Sequence, residues 1–469
     1  MTDTIYLVNW NWFFSHGWTN SSFLAATTEA DPEEGTLVLA GVLVSLVVIY
    51  FASKLGGEIC SRINLPPVLG ELVGGVLIGV SAFGLLIFPE TGANAADSLI
   101  INLLENTAGL SPESAQSVFS SQSEVINLLS ELGVIILLFE IGLESDLKEL
   151  IRVGPQAAIV AVVGVVAPFV AGTAGLVYIF NVPVVPAIFA GAALTATSIG
   201  ITAKVLAELG QLSSQEGQII IGAAVLDDIL GIVVLAVVAS LVKTGEIQIV
   251  NIIYLVISAG VFLIGSIVLG RFISPYIVGL VNEMKTRGQV LLTGLVFAFS
   301  LSYIATAIHL EGILGAFAAG LILAETEKRK ELEEQVIPVA DILVPVFFVC
   351  VGAKTDLSVL NPTVPSNRDG LIIATFLILV AILGKVITGF TIFGQPDLNK
   401  IAIGVGMIPR GEVGLVFAGV GSASGALSEA TEAAIIMMVI TTTFVAPPLL
   451  RLVFKETDAI APQVDKIQE

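Results

Sequence analysis

Thirteen apolar stretches divide almost the whole chain between residues 36 and 454, and most are long enough to cross ~30 Å of hydrocarbon as a helix. They cover about 36–53, 66–88, 124–143, 155–180, 183–208, 216–242, 248–270, 289–309, 311–325, 335–353, 370–394, 399–421 and 431–454. A segment crossing a bilayer finds no water for its backbone groups, and a helix satisfies them within itself. Composition agrees: 55% of the 469 residues are hydrophobic and 13% charged, where a soluble domain carries about 25%. The expectation is an all-α polytopic membrane protein. It has an acidic N-terminal extension (1–35), a transmembrane portion (36–454) and a short tail (455–469).

Lysine and arginine orient these spans. With the N-terminus outside, fifteen of the twenty, from Lys54 to Lys466, fall on inward-facing segments or the span ends beside them. Only Lys243, Lys354 and Arg368 face outward, and Lys385 and Arg410 lie inside spans. That asymmetry predicts an N-out, C-in topology. The acidic excess lies mostly on the outer side, in the extension and in the long polar connection 89–123, as a solvated surface or as a field that concentrates cations. Cys60 and Cys350 are too far apart for a CxxC pair, and His16 and His309 too few for a metal cluster. His309 is expected to cap a helix at the membrane surface. Nothing resembles a phosphate loop, a basic nucleic-acid stripe or a Ser/His/Asp grouping, so neither an enzyme nor a nucleic-acid binder is indicated, and no cofactor is expected.

An odd span count allows two six-helix halves of opposite polarity, spans 1–6 and 8–13, joined by one helix. Direct similarity between the halves is weak, and the support is positional. Span 5 carries Thr195, Thr197, Ser198 and Gly200 at its centre, and span 12 carries Pro409-Arg410-Gly411-Glu412. Interruptions at matching places in two halves point to a transport site. Arg410 and Glu412 are expected chiefly to compensate the dipoles of the broken helices, with ion binding by Glu412 the lesser reading.

Span 6 holds Asp227 and Asp228 side by side. An aspartate at the bilayer centre costs about 2.5–3.5 kcal/mol, so two in succession need a reason. Either partners neutralise them and lock the bundle, or they form a cation or proton site. Lys385, deep in span 11, is their obvious counter-charge. At this depth Asp227, Asp228 and Glu412 outweigh Lys385 and Arg410 by one negative charge. A proton or a monovalent cation would each supply the missing positive charge, and the two exclude one another.

These residues resemble those of the second large family of monovalent cation:proton antiporters, in its bacterial and cyanobacterial sodium/proton branch with an aspartate pair. The matching pieces are Pro66-Pro-Val-Leu-Gly-Glu71, Leu138-Phe-Glu-Ile-Gly-Leu-Glu144, Thr195-Ala-Thr-Ser198, Leu226-Asp-Asp-Ile229, Gly384-Lys385 and Pro409-Arg-Gly-Glu-Val-Gly414. The resemblance implies a homodimer in a lipid bilayer, bacterial plasma membrane or, if cyanobacterial, thylakoid. It also implies a core with two crossing broken helices (about 124–242 and 335–454), the remaining spans forming the dimerisation scaffold. It makes Asp228 the shared Na⁺ and H⁺ carboxylate, pairs Asp227 with Lys385, sets Thr197 and Ser198 beside the ion, and places Arg410 and Glu412 in the second crossing segment. Electrogenic Na⁺ or Li⁺ exchange is then expected. A K⁺/H⁺ antiporter on the same fold is the main alternative, ahead of a gated cation channel or an organic-anion transporter.

Overall fold

A computed structural model describes residues 32–108, 110–244, 249–360 and 365–460, so most of the acidic extension and the end of the tail lie outside the described residues. The helices are α1 (Pro32–Arg62), α2 (Pro67–Ile78), α3 (Leu99–Ala108), α4 (Pro112–Glu144), α5 (Leu147–Arg152), α6 (Gly154–Tyr178), α7 (Val184–Ala193), α8 (Ile199–Glu208) and α9 (Gln215–Thr244). They continue as α10 (Ile249–Glu283), α11 (Gln289–Ala307), α12 (Gly312–Ala324), α13 (Arg329–Ala353), α14 (Pro365–Gly389), α15 (Lys400–Gly406), α16 (Glu412–Ala423) and α17 (Glu429–Ile460). Each of the thirteen apolar stretches corresponds to one helix or, for spans 5 and 12, to a pair of short ones. Among the described residues nine helices are long and apolar enough to cross a membrane, and shorter apolar helices fill the other positions.

The connection 89–123 differs from its sequence reading. It is largely helical: α3 lies within it, and α4 starts twelve residues before the expected 124. The reason is a narrow stripe. Ala115, Val118, Phe119 and Gln122 recur at helical spacing and are buried, while the polar residues between them face away. Ile100, Ile101 and Leu104 of α3 join the same cluster, which packs against Val44 and Val48 of α1. Span 2 also ends early, at Ile78, and the chain beyond it buries Leu86, Ile87 and Phe88 without helix. His309 ends the α11 turn in a left-handed conformation (φ 66°).

The inverted repeat is written into the packing. Helix α2 crosses α13, and α12 crosses α4, so the second and third elements of one half meet the third and second of the other. Gly75 faces Gly352 at the first crossing and Gly142 faces Gly320 at the second. A Cβ on any of these four would meet backbone of the facing helix, so close approach requires glycine there. The residues align around these points. Val68-Leu69-Gly70 with Gly75 matches Ile313-Leu314-Gly315 with Gly320. Gly142 with Ser145-Asp146-Leu147 matches Gly352 with Thr355-Asp356-Leu357. Both aspartates then turn the chain alike: the Lys148 N–H donates to Asp146 Oδ1 at 2.8 Å, and the Ser358 N–H to Asp356 Oδ1 at 2.8 Å.

Helices α6 and α9 pack together in the first half, as α14 and α17 do in the second, with α6 against α14 between them. Around them α7 and α16 close a buried cluster that includes Phe189, Leu377, Phe417 and Met438. Residues 124–143 and 335–353, grouped with the core on sequence grounds, make their broadest contacts with α1, α2 and α12 and with each other.

Candidate functional site

Two chain breaks meet at the centre of this arrangement. Residues 194–198 separate α7 from α8, and 407–411 separate α15 from α16. Pro409 has no N–H to donate to a helical ladder, and the Thr and Ser side chains of the first break offer the backbone other partners. Each break supplies what the other lacks. The Ser198 N–H donates to Pro409 C=O at 2.8 Å, the Thr197 hydroxyl to Met407 C=O at 3.2 Å and the Thr202 hydroxyl to Gly406 C=O at 2.9 Å. Arg410, fully buried, donates from Nη1 to Ala196 C=O at 3.0 Å and to Met407 C=O at 3.3 Å. Its positive charge thus sits on carbonyl groups that the broken helices leave exposed. Thr443 of α17 donates to Arg410 C=O at 2.6 Å and holds the second break from behind. Glu412 opens α16, and its side chain lies outside what is described.

The two aspartates of α9 part ways here. Successive helical residues point ~100° apart, so one environment cannot serve both. Asp227 is fully buried, and Lys385 Nζ stands 3.2 Å from each of its carboxylate oxygens. Lys385 reaches it from α14 because the neighbouring helix is notched: a Cβ on Gly164 of α6 would come 3.1 Å from Nζ. Asp228 keeps 5% of its surface exposed and lines a cavity between two walls. Thr197, Ser198 and Gly411 form one wall, from the crossing breaks. Val134, Phe347 and Val351, from α4 and α13, form the other, together with Glu311 and Ile313 at the start of α12.

Six of the seven residues singled out from the sequence therefore lie in one neighbourhood, and they are not equivalent. Asp227 and Lys385 are a dry ion pair, Arg410 ties the two breaks together, and Asp228, Thr197 and Ser198 face the cavity. Sequence reasoning passed over Thr202, Thr443 and Glu311. The run Thr441-Thr442-Thr443 in the last span was a visible signal for the second of these, whereas nothing local marked Glu311. Among the described residues no group of three His, Cys, Asp or Glu side chains is placed to hold a metal ion.

Comparison with known proteins places this geometry. Residues 38–456 match the transmembrane sodium/hydrogen exchanger family. The chain is similar to the high-affinity Na⁺/H⁺ antiporter NhaS3 of Synechocystis, 75% identical over 92% of this chain and 94% of that protein. It is also similar to the Na⁺/H⁺-K⁺ antiporter GerN of Bacillus cereus, 32% identical over 88% of this chain and 96% of the relative. Among solved structures, the sodium proton antiporter MjNhaP1 of Methanocaldococcus jannaschii shares the fold, with a TM-score of 0.59 and 16% identity over 90% of this chain and 99% of that one. The chain is an integral membrane protein that belongs to the sodium/hydrogen exchanger family.

Proposed function

We propose that this protein exchanges Na⁺ for H⁺ across its membrane by alternating access, with Asp228 as the carboxylate that both cations use in turn. The observation that carries the reading is the division of labour on α9: Asp227 is engaged by Lys385 in the dry interior, and Asp228 opens onto the cavity at the crossing. The name carried by the Synechocystis relative agrees with Na⁺ as the cation.

Sodium is a hard ion that takes oxygen ligands, as calcium and magnesium do. The Asp228 carboxylate and the hydroxyl oxygens of Thr197 and Ser198 line one cavity and are the ligands on this reading. Li⁺ would take the same set. A proton on Asp228 removes the negative charge that attracts the metal ion, so the two cargoes compete. With either bound, the region is neutral enough to move against the apolar wall of α4 and α13, while the empty carboxylate resists that transfer into low dielectric. The moving body would comprise the two broken helices with the helices packed around them, rocking as a unit. A homodimer and electrogenic stoichiometry belong to the same reading. Protons on groups this close belong to the cluster rather than to one side chain.

The direct test is exchange in proteoliposomes. Asp228→Asn keeps the size of the side chain and is expected to abolish Na⁺-driven proton movement, while near-normal exchange would overturn the assignment. Replacing Na⁺ by K⁺ in the same assay is expected to leave little exchange, and an imposed membrane voltage to change the rate.

A further inference from the structure

Among the described residues two ionisable side chains line the cavity beside the crossing, Asp228 and Glu311. They come from different elements and differ in burial. Asp228 comes from the middle of α9 and is almost fully buried. Glu311 stands in the tight turn between α11 and α12, at the end of the bundle, and is half-buried. Apolar Ile313, Phe347 and Val351 line the same cavity.

The turn itself is well determined. His309 takes the left-handed conformation that lets the chain reverse, the Leu310 N–H closes onto Ala305 C=O at 2.9 Å, and the Leu314 N–H reaches Glu311 C=O at 3.1 Å. Glu311 precedes the first residue of α12, the position at which a carboxylate ordinarily caps a helix. Its side chain makes no capping bond to the first turn of α12. A carboxylate held at the mouth of an apolar-walled cleft has a different physical consequence. Low-dielectric walls focus its field along the cleft, and cations accumulate there.

We propose that Glu311 is the cation-recruiting residue of this pathway, a fixed charge on the stationary wall that gathers Na⁺ at the mouth of the cavity and passes it inward to Asp228. This deepens the exchange reading and rests on it. The role is one of supply, so it acts on apparent affinity, and it acts from one side of the membrane because Glu311 lies at one end of the bundle.

The test uses the full chain in proteoliposomes of known orientation, with NaCl offered to one face at a time. Glu311→Gln is expected to raise KM for Na⁺ on one face by roughly three- to tenfold at low ionic strength, with kcat within about twofold of wild type and the opposite face unchanged. The difference should shrink when choline chloride is raised to ~0.5 M, where the Debye length falls to a few ångströms. Glu311→Asp should recover most of the loss. An unchanged KM on both faces, an equal rise on both, or a fall in kcat with KM unchanged would each overturn the proposal. If Glu311→Gln does not fold, the wild-type protein still decides: KM should depend more steeply on ionic strength on one face than on the other, and equal dependence overturns the idea. Wild-type protein that exchanges no Na⁺ for H⁺ would instead refute the functional reading beneath it.

Discussion

Gly75 and Gly320 occupy the same step of α2 and α12, each pressed against backbone of the opposite half, yet four residues earlier one helix carries Glu71 and the other Ala316. Outside the shared turn aspartates Asp146 and Asp356, the contrast recurs at other aligned positions. Glu140 of α4 corresponds to Cys350 of α13, two residues before the paired glycines 142 and 352. Aligning Gly200 with Gly414 just after the breaks sets Ser198 opposite Glu412, which makes Lys204 and Glu208 of α8 correspond to Ala418 and Ser422 of α16. The frame is shared; the charges are not. In the first half Glu71, Glu140 and Glu208 all lie within the field of Lys204. Glu71 accepts a hydrogen bond from Ser53 at 3.0 Å, and Glu208 accepts from the Val68 N–H at the start of α2 at 3.2 Å. Ser422, the counterpart of Glu208, donates instead to Glu432 close by at 2.8 Å.

This asymmetry separates two jobs. Glycine contacts between helix backbones set the frame, and they are indifferent to which half supplies them. Charge decides what each end of the frame does. At the Glu208 end a polar contact ties α8 to Val68 of α2, and in the other half Ile313, the counterpart of Val68, lines the cavity beside Asp228. On the exchange reading, alternation would require the Glu208 contact to open when the cavity closes.

Three measurements sharpen or break the comparison. The largest effect belongs to the ion pair that joins the halves. Lys385→Ala leaves Asp227 buried without its cation, and breaking a buried pair in this way costs about 3–5 kcal/mol. Loss of folded protein in detergent is expected, with Lys385→Met plus Asp227→Leu recovering much of it. A stable single variant would mean that the pair does not hold the halves together. Next comes the frame. Gly75→Ala and Gly320→Ala each drive a methyl group into a facing carbonyl, and overpacking of this kind costs about 1–3 kcal/mol. Melting temperatures should fall by similar amounts, and a large difference between the two would break the symmetry argued above. The smallest effect lies at the bundle ends. Glu208→Ala should lose about 1 kcal/mol, the worth of a half-buried hydrogen bond, while Ser422→Ala should lose no more than about half of that. Equal losses would show that the charge at the α2 end contributes nothing special.

Much of this was legible before the fold. The apolar stretches and the interrupted centres of spans 5 and 12 could be read directly, because spanning hydrocarbon and breaking a helix are local acts. The pointer from Lys385 to the aspartates followed from charge in a poor solvent, and the structure brings it to Asp227. The helical part of 89–123 was hidden, because Val118 and Phe119 bury a stripe too narrow to lower the overall polarity of the segment. The repeat was legible in outline, from the span count and the matching interruptions of spans 5 and 12, but few residues carry it and their equivalence shows only where Gly75 meets Gly352 and Gly142 meets Gly320.

By itself the sequence determined that the chain is a stack of membrane helices with more acidic than basic residues at mid-depth, since both properties can be read from single segments. The family resemblance already paired Asp227 with Lys385; only the tertiary structure decided that this pair is fully buried, that Asp228 faces the cavity, and that Glu311 shares that cavity. These depend on how α9 is rotated about its axis and on which distant residue is packed against it. Lys385, 158 positions along the chain from Asp227, is the clearest case.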